Sequence, residues 1–348
     1  MKRLLQLFEK EDWKYYVGNS LQHDFYHTWH YHSLDVGGEP LLFVYEEGET
    51  YLAFPFIKRE IPGEEYSDLT SIYGYTGPIS NQKFTDLSPS FLENFRTSFL
   101  ESLKEEKIVS VFSTLHPFFD QRLSLAELGS IHSNGKTVAI DLSLSLETQR
   151  KKYHRRLRGK IRQLKSKGYV VRESDSIEDI DIFANIYTEN MKRIGASDSY
   201  LFPGSYFRDL YHSDELSSKL LLVYLHDKAV SGVYMVCTNE IIQAHLLGTL
   251  TAYLPDSPAR LLTDEITVIG RKMGARYFHL GGGFNFKRDS LFEWKACFSD
   301  LILDFSSWRF IANPAVYDAL VEKLEIRETA DIDFFPLYRY SKTQGYPS

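Results

Sequence analysis

Leu41-Leu42-Phe43-Val44-Tyr45 and Leu220-Leu221-Leu222-Val223-Tyr224 are nearly the same pentapeptide, placed in opposite halves of the chain. Each run turns through polar residues into a second apolar strand. The first turns at Glu46-Glu47-Gly48-Glu49 into residues 51–58, the second at His226-Asp227-Lys228 into residues 230–236. The next elements repeat as well. In the first half, Ser88-Pro89 opens a predicted helix to about residue 106, with Pro in a first turn where its missing N–H costs little, and 108–115 reads as a strand. In the second half a strand at 241–247 precedes a helix at about 258–273 and a strand at 277–280. Hairpin, helix, strand, met twice in the same order, predicts a duplicated unit of mixed α/β class. The competing reading is that Leu- and Val-rich hairpins are common and match by chance.

The length of 348 residues suits two compact domains better than one core. Cys237 and Cys297 are too few for a disulfide framework or a structural zinc site. The opening Met1-Lys2-Arg3-Leu4-Leu5 starts like a signal peptide, but Glu9, Lys10, Glu11 and Asp12 end the apolar run too early. No segment approaches the roughly 20 apolar residues of a membrane span. The expectation is a cytoplasmic protein. A net charge of -7 argues against DNA or general nucleic-acid binding, while leaving room for one local basic patch. His23, His27, His30 and His32 invite a metal reading, with Asp24 as the only nearby carboxylate. The expectation is no metal, with these rings in the core or lining a cleft.

That basic patch is easily found. Between Lys151 and Arg172 stand ten Lys and Arg and no Asp or Glu. Residues 144–167 have a helical pattern, with Tyr153, Leu157, Ile161 and Leu164 on one stripe. Such density in an acidic chain points to a polyanion: a nucleotide diphosphate, a coenzyme phosphate or tRNA. The alternative is a solvated face that neutralises the acidic stretch 173–181.

His279-Leu280-Gly281-Gly282-Gly283-Phe284-Asn285-Phe286 follows a strand, and its glycines let backbone approach a ligand closely. It matches neither G-x-G-x-x-G nor the P-loop pattern. In Asp289-Ser290-Leu291-Phe292-Glu293-Trp294-Lys295-Ala296-Cys297-Phe298, Asp289 or Ser290 can cap a short helix, with Glu293 completing a capping box on Ser290. Leu291, Trp294 and Phe298 fall on one apolar side. Lys295 beside that cluster can present its charge to a developing oxyanion, or it can simply snorkel off an apolar patch. No G-x-S-x-G elbow occurs and Cys297 has no evident His partner, so covalent hydrolase chemistry is not supported.

Taken together, the glycine segment, the Ser290–Phe298 motif with Trp294-Lys295 and the segment Tyr73-Gly74-Tyr75-Thr76-Gly77-Pro78 resemble the Fem (FemAB-like) branch of the GNAT superfamily. The basic helix and the tail Phe334-Phe335-Pro336-Leu337-Tyr338-Arg339 are similar to its members too. The resemblance implies two tandem GNAT-like domains with a substrate cleft along them. One would be residues 1–143 with 306–348 returning as a tail, the other 144–305. Fem transferases move an amino acid from aminoacyl-tRNA to the amine of a peptidoglycan precursor. The resemblance thus implies no tightly bound cofactor, and a donor that is aminoacyl-tRNA or else acetyl-CoA or another acyl-CoA. The other partners would be a phosphate-bearing small molecule or glycopeptide and the tRNA acceptor end.

In the family an aromatic-Lys pair, usually Phe-Lys, sits at the reacting carbonyl. Trp294-Lys295 occupies that place here, Lys295 stabilising the oxyanion. Arg155, Arg158 and Arg162 would hold phosphate, and Tyr73 and Tyr75 would line the acceptor groove. Gly281, Gly282, Gly283, Asn285 and His245 would complete the substrate contacts. Asp264, Glu265 and His245 are available as bases. Three departures stand out: Trp replaces Phe, there is no long heptad-patterned insertion like the tRNA-contacting coiled-coil arm of FemA, and the R/Q-x-x-G-x-G/A pyrophosphate loop of ordinary GNAT enzymes is not found before residue 258. An acyl-CoA or acyl-carrier-dependent N-acyltransferase for surface polysaccharide or lipid, and an inactive Fem-like binding module, remain as alternatives.

Overall fold

A computed structural model describes residues 1–35, 37–324 and 333–340. Along the first part run β1 (Lys2–Gln6), α1 (Lys10–Gly18), α2 (Trp29–Ser33), β2 (Glu39–Glu47), β3 (Thr50–Glu60), β4 (Ser67–Thr70), β5 (Ile79–Ser80), α3 (Pro89–Glu105) and β6 (Ile108–Thr114). Then come β7 (Ser130–Asp141), α4 (Leu146–Lys152), α5 (Arg155–Ser166), β8 (Val170–Ser174), α6 (Ile177–Ile194), α7 (Gly204–Tyr211), β9 (Ser217–Leu225) and β10 (Lys228–Thr238). The last are β11 (Ile241–Thr249), α8 (Ala259–Lys272), β12 (Tyr277–Gly281), α9 (Ser290–Ala296), β13 (Leu301–Ile311) and α10 (Pro314–Glu322). The chain divides into two compact units, Met1–Gly135 with Asp304–Ser348, and Lys136–Leu303.

In the first unit the strands lie in the order β1-β2-β3-β4-β6-β13, with β5 added on β3. All neighbours are antiparallel except β4 and β6, which are parallel and joined through α3. The second unit lays down β8-β9-β10-β11-β12-β7, with β11 and β12 its parallel pair, joined through α8. The two orders are the same plan: edge strand, hairpin, third strand, helical crossover, parallel strand, closing strand. Leu41–Tyr45 on β2 and Leu220–Tyr224 on β9 hold equivalent places in it. The fold is mixed α/β, with one strand plan laid down twice.

Local chemistry explains the hairpins. Glu47 pairs with Thr50 across a turn in which Gly48 has φ +62°. Leu225 pairs with Lys228 across His226 and Asp227, both at positive φ, the conformation that matches the strands' right-handed twist. Each helix buries one stripe. Phe91, Phe95, Phe99 and Leu103 of α3 pack on Phe43, Phe54, Phe56 and Trp308. Leu157, Ile161 and Leu164 of α5, with Leu261, Leu262 and Ile266 of α8, pack on Leu221, Val223, Val233 and Phe278.

The predicted single helix over 144–167 is in fact two. Tyr153 and His154 are extended, with ψ of 136° and 140°. The break lets the Tyr153 hydroxyl donate to the buried Asp264 at 3.1 Å, and sends the His154 N–H out of the helix to the Cys297 carbonyl at 2.9 Å. Two tertiary hydrogen bonds outweigh one helical turn, a balance that periodicity cannot show.

Candidate active site

The parallel ladder of β11 and β12 stops at Gln243 opposite His279, although β11 runs on to Thr249. The strands part where β11 carries a bulge at His245, between the pairs Met235–Ala244 and Tyr234–Leu246. A notch therefore opens at the carboxyl end of β12, the place where open α/β sheets take ligands. Gly281, Gly282 and Gly283 leave β12 there. Gly281 has φ +73°, a conformation costly for any residue with a Cβ. At Gly283 a Cβ would collide with the Lys287 carbonyl and the Asp289 carboxylate, so the loop closes only over glycine.

That closure seats α9. Asp289 is its cap: one carboxylate oxygen accepts from Phe292 N–H at 2.8 Å, the other from Phe284 N–H at 3.0 Å. Glu293 does not form the expected capping box on Ser290 and pairs with Arg288 instead. The apolar side of α9 also differs from expectation. Phe292 and Phe298 are buried, Trp294 leans on Phe298 at 5.2 Å between ring centres, and Leu291 is 44% exposed. Arg260, from the first turn of α8, lies 5.9 Å from the Trp294 ring centre.

Lys295 is half-buried, and its ammonium donates to the Gly282 carbonyl. Among the described residues no carboxylate forms an ion pair with it. Burial lowers its pKa to about 8, with Asp289 pulling the other way. A lysine ammonium has three N–H donors, and the carbonyl takes one. Its charge is thus present below pH 8, and donors remain for a ligand oxygen. Such a group can stabilise an oxyanion in a poorly solvated notch.

The basic helix begins where α9 ends, through the bond between His154 and Cys297. Lys160 and Lys167 are held by Asp256. Arg155, Arg158 and Arg162 are exposed and have no ion-pair partner among the described residues. Two carboxylates of the acidic stretch are engaged elsewhere: Glu173 pairs with Lys219, and Asp181 with Arg208. Arg158 also borders an open groove of about 390 Å³ lined by Leu146, Glu147, Arg150 and Lys151.

The remaining expected residues are placed as follows. Asp264 is no free base, being 1% exposed and gripped by Nε and one terminal nitrogen of Arg150, at 2.9 and 2.7 Å, and by the Tyr153 hydroxyl. His245 is buried with its Nε2 3.4 Å from the Tyr206 hydroxyl, and burial lowers its pKa to about 3, so it stays neutral and is a poor proton acceptor near pH 7. Asn285 lies in a 3-10 turn, its side chain outside the described residues. In the first unit Tyr73 is 46% exposed and accepts from Tyr31 at its carbonyl, whereas Tyr75 packs inside against Tyr26, Phe305 and His116.

His27 and His32 are fully buried. Among the described residues no group of three metal-ligating side chains is arranged around a common point. The His116–Asp24 contact of 2.9 Å, both side chains fully buried, could not be seen in the sequence, since no spacing rule links positions so far apart.

Residues 151–295 match the acetyltransferase (GNAT) domain family. The whole chain is similar in structure to FemX, with a TM-score of 0.71 at 14% identity over 92% of this chain and 99% of that one. It is also similar to L-PGS from Bacillus licheniformis, with a TM-score of 0.60 at 12% identity over 92% and 98%. A conserved protein of unknown function from Bacteroides thetaiotaomicron gives 0.61 at 12% identity over 89% and 100%. No curated protein matches the chain by sequence. No described helix is long and apolar enough to cross a membrane.

Proposed function

From this GNAT-superfamily fold we propose an acyltransferase that moves an aminoacyl group from a tRNA ester to an amine on a phosphate-bearing, peptidoglycan-type precursor, as in the Fem family. The observation that carries the reading is Lys295: a half-buried ammonium at the carboxyl end of a parallel strand, held by one carbonyl and, among the described residues, paired with no carboxylate. In the transfer the acceptor nitrogen attacks the ester carbon. The carbonyl oxygen becomes an oxyanion beside Lys295, and the tetrahedral centre collapses with loss of the ribose oxygen. The C–N bond replaces the C–O bond, and the proton released by the amine ends on the departing hydroxyl. Trp294 supports the site as a wall, with Arg260 over its ring. The unpaired arginines of α5 supply the charge a nucleotide carrier requires.

The test is a transfer assay read by mass spectrometry. Charged tRNA and acetyl-CoA are offered as donors, and UDP-linked muropeptides and simple amines as acceptors. Transfer from charged tRNA to the muropeptide is the expected result. Transfer from acetyl-CoA alone replaces this reading by a coenzyme A-dependent N-acyltransferase. Binding of both substrates without transfer leaves a binding module.

A further inference from the structure

Phe284 is 68% exposed, two residues past the carbonyl that holds Lys295. A phenyl ring so exposed on a floppy loop would be unremarkable, but this loop is tight. Phe284 N–H is tied to the Asp289 carboxylate, Phe286 N–H to the Gly283 carbonyl at 3.1 Å, and Lys287 N–H to the Phe284 carbonyl at 3.1 Å. The ring is therefore presented from a pre-organised backbone, with little ordering left for a ligand to impose. Beside it stands Lys287, exposed and with no ion-pair partner among the described residues. On the far side of Lys295, across α9, begin the unpaired arginines of α5.

We propose that Phe284 is the stacking platform for the terminal base of the RNA that carries the acyl group, placing the terminal ribose ester at Lys295 and its phosphates toward Arg155 and Arg158. The inference rests on the transferase reading above and adds to it the residue that orients the donor. Exposed aromatics bind single-stranded ends because every base has a π-face, and adjoining cations take the backbone. The surface of α5 matches that occupant in sign: the helix carries no acidic residue, and Arg155, Arg158 and Arg162 have no ion-pair partner among the described residues.

The experiment measures fluorescence anisotropy of a short RNA hairpin with an unpaired 3′ tail, intact or with an abasic last nucleotide. Phe284→Ala should weaken binding of the intact tail roughly 5- to 150-fold, the range of one stacked base. The abasic tail should weaken wild type by a similar factor and cause no further loss in Phe284→Ala. Phe284→Trp should bind the intact tail as wild type does, and melting temperatures of the variants should match because the ring is exposed. Unchanged binding by Phe284→Ala while wild type binds the hairpin overturns this inference and leaves the transferase reading standing. A loss equal on intact and abasic tails does the same. Wild type that does not bind the hairpin overturns both. A Phe284→Ala defect seen only on anionic phospholipid vesicles assigns the ring to a membrane surface and also overturns the proposal.

Discussion

Lys295 has to be charged to stabilise an oxyanion, and its pKa of about 8 makes that requirement measurable. Turnover limited by this group is high below pH 8 and falls as the pH rises through it. A lysine acting as a base would give the opposite slope. Lys295→Met, similar in length but neutral, should lower the single-turnover rate about a hundred- to a thousandfold with little change in substrate affinity. Lys295→Arg should retain part of the rate and lose the fall near pH 8, since guanidinium does not titrate there. Stability has its own sign. The folded pKa lies below the ordinary lysine value of 10.5, so the unfolded chain binds the proton more tightly. The destabilisation from burying the ammonium is fully present below pH 8, and stability recovers between pH 8 and 10.5.

At the level of elements, α5 and its neighbours separate two uses of arginine. Arg155, Arg158 and Arg162 face solvent unpaired, and replacing all three with Ala should weaken RNA binding. Losing three phosphate contacts flattens the log–log salt dependence by about 2, at roughly 0.7 per contact for single strands. An unchanged salt slope would return the helix to a solvated face. Arg150, on α4 before the break, has a structural role instead, matching both oxygens of Asp264. Arg150→Ala leaves a buried carboxylate whose one other side-chain partner among the described residues is the Tyr153 hydroxyl, which should lower the unfolding free energy by roughly 3 kcal/mol in urea titration. The same variant should leave the salt slope unchanged.

Across the whole chain, the first unit is closed by residues far apart in sequence. Asp68 on β4 is fully buried and collects Arg59, the Tyr338 hydroxyl at 3.0 Å and Arg339. Phe335, Leu337 and Tyr338 pack beside Tyr317 and Leu320 of α10. Tyr338→Phe removes a hydrogen bond to a buried charge and should lower stability by about 1.5 kcal/mol. A melt that coincides with wild type would show that the two arginines suffice. Both arginines lie at least a fifth exposed, so the Tyr338 bond is the more sheltered of these contacts.

The hairpins, their turns, the α3 and α8 crossovers and the tandem plan could be read from the sequence alone. They arise from local rules: period-two alternation, turn residues, a Ser-Pro helix start and one repeated pentapeptide. The glycine run beside Trp294-Lys295 was legible for the same reason, lying within one short segment. Tertiary structure alone decided which charges are spent and which are free. Asp264 is available as a base by its position in the sequence, but Arg150 holds it, and two carboxylates of 173–181, which could neutralise α5, pair with Lys219 and Arg208 instead. The break at Tyr153, the burial of Tyr75 and the exposure of Phe284 belong to that second group. The charge pairings, the break and the burial of Tyr75 are settled by contacts between residues distant in sequence, and pairing at a distance has no period for a sequence pattern to display.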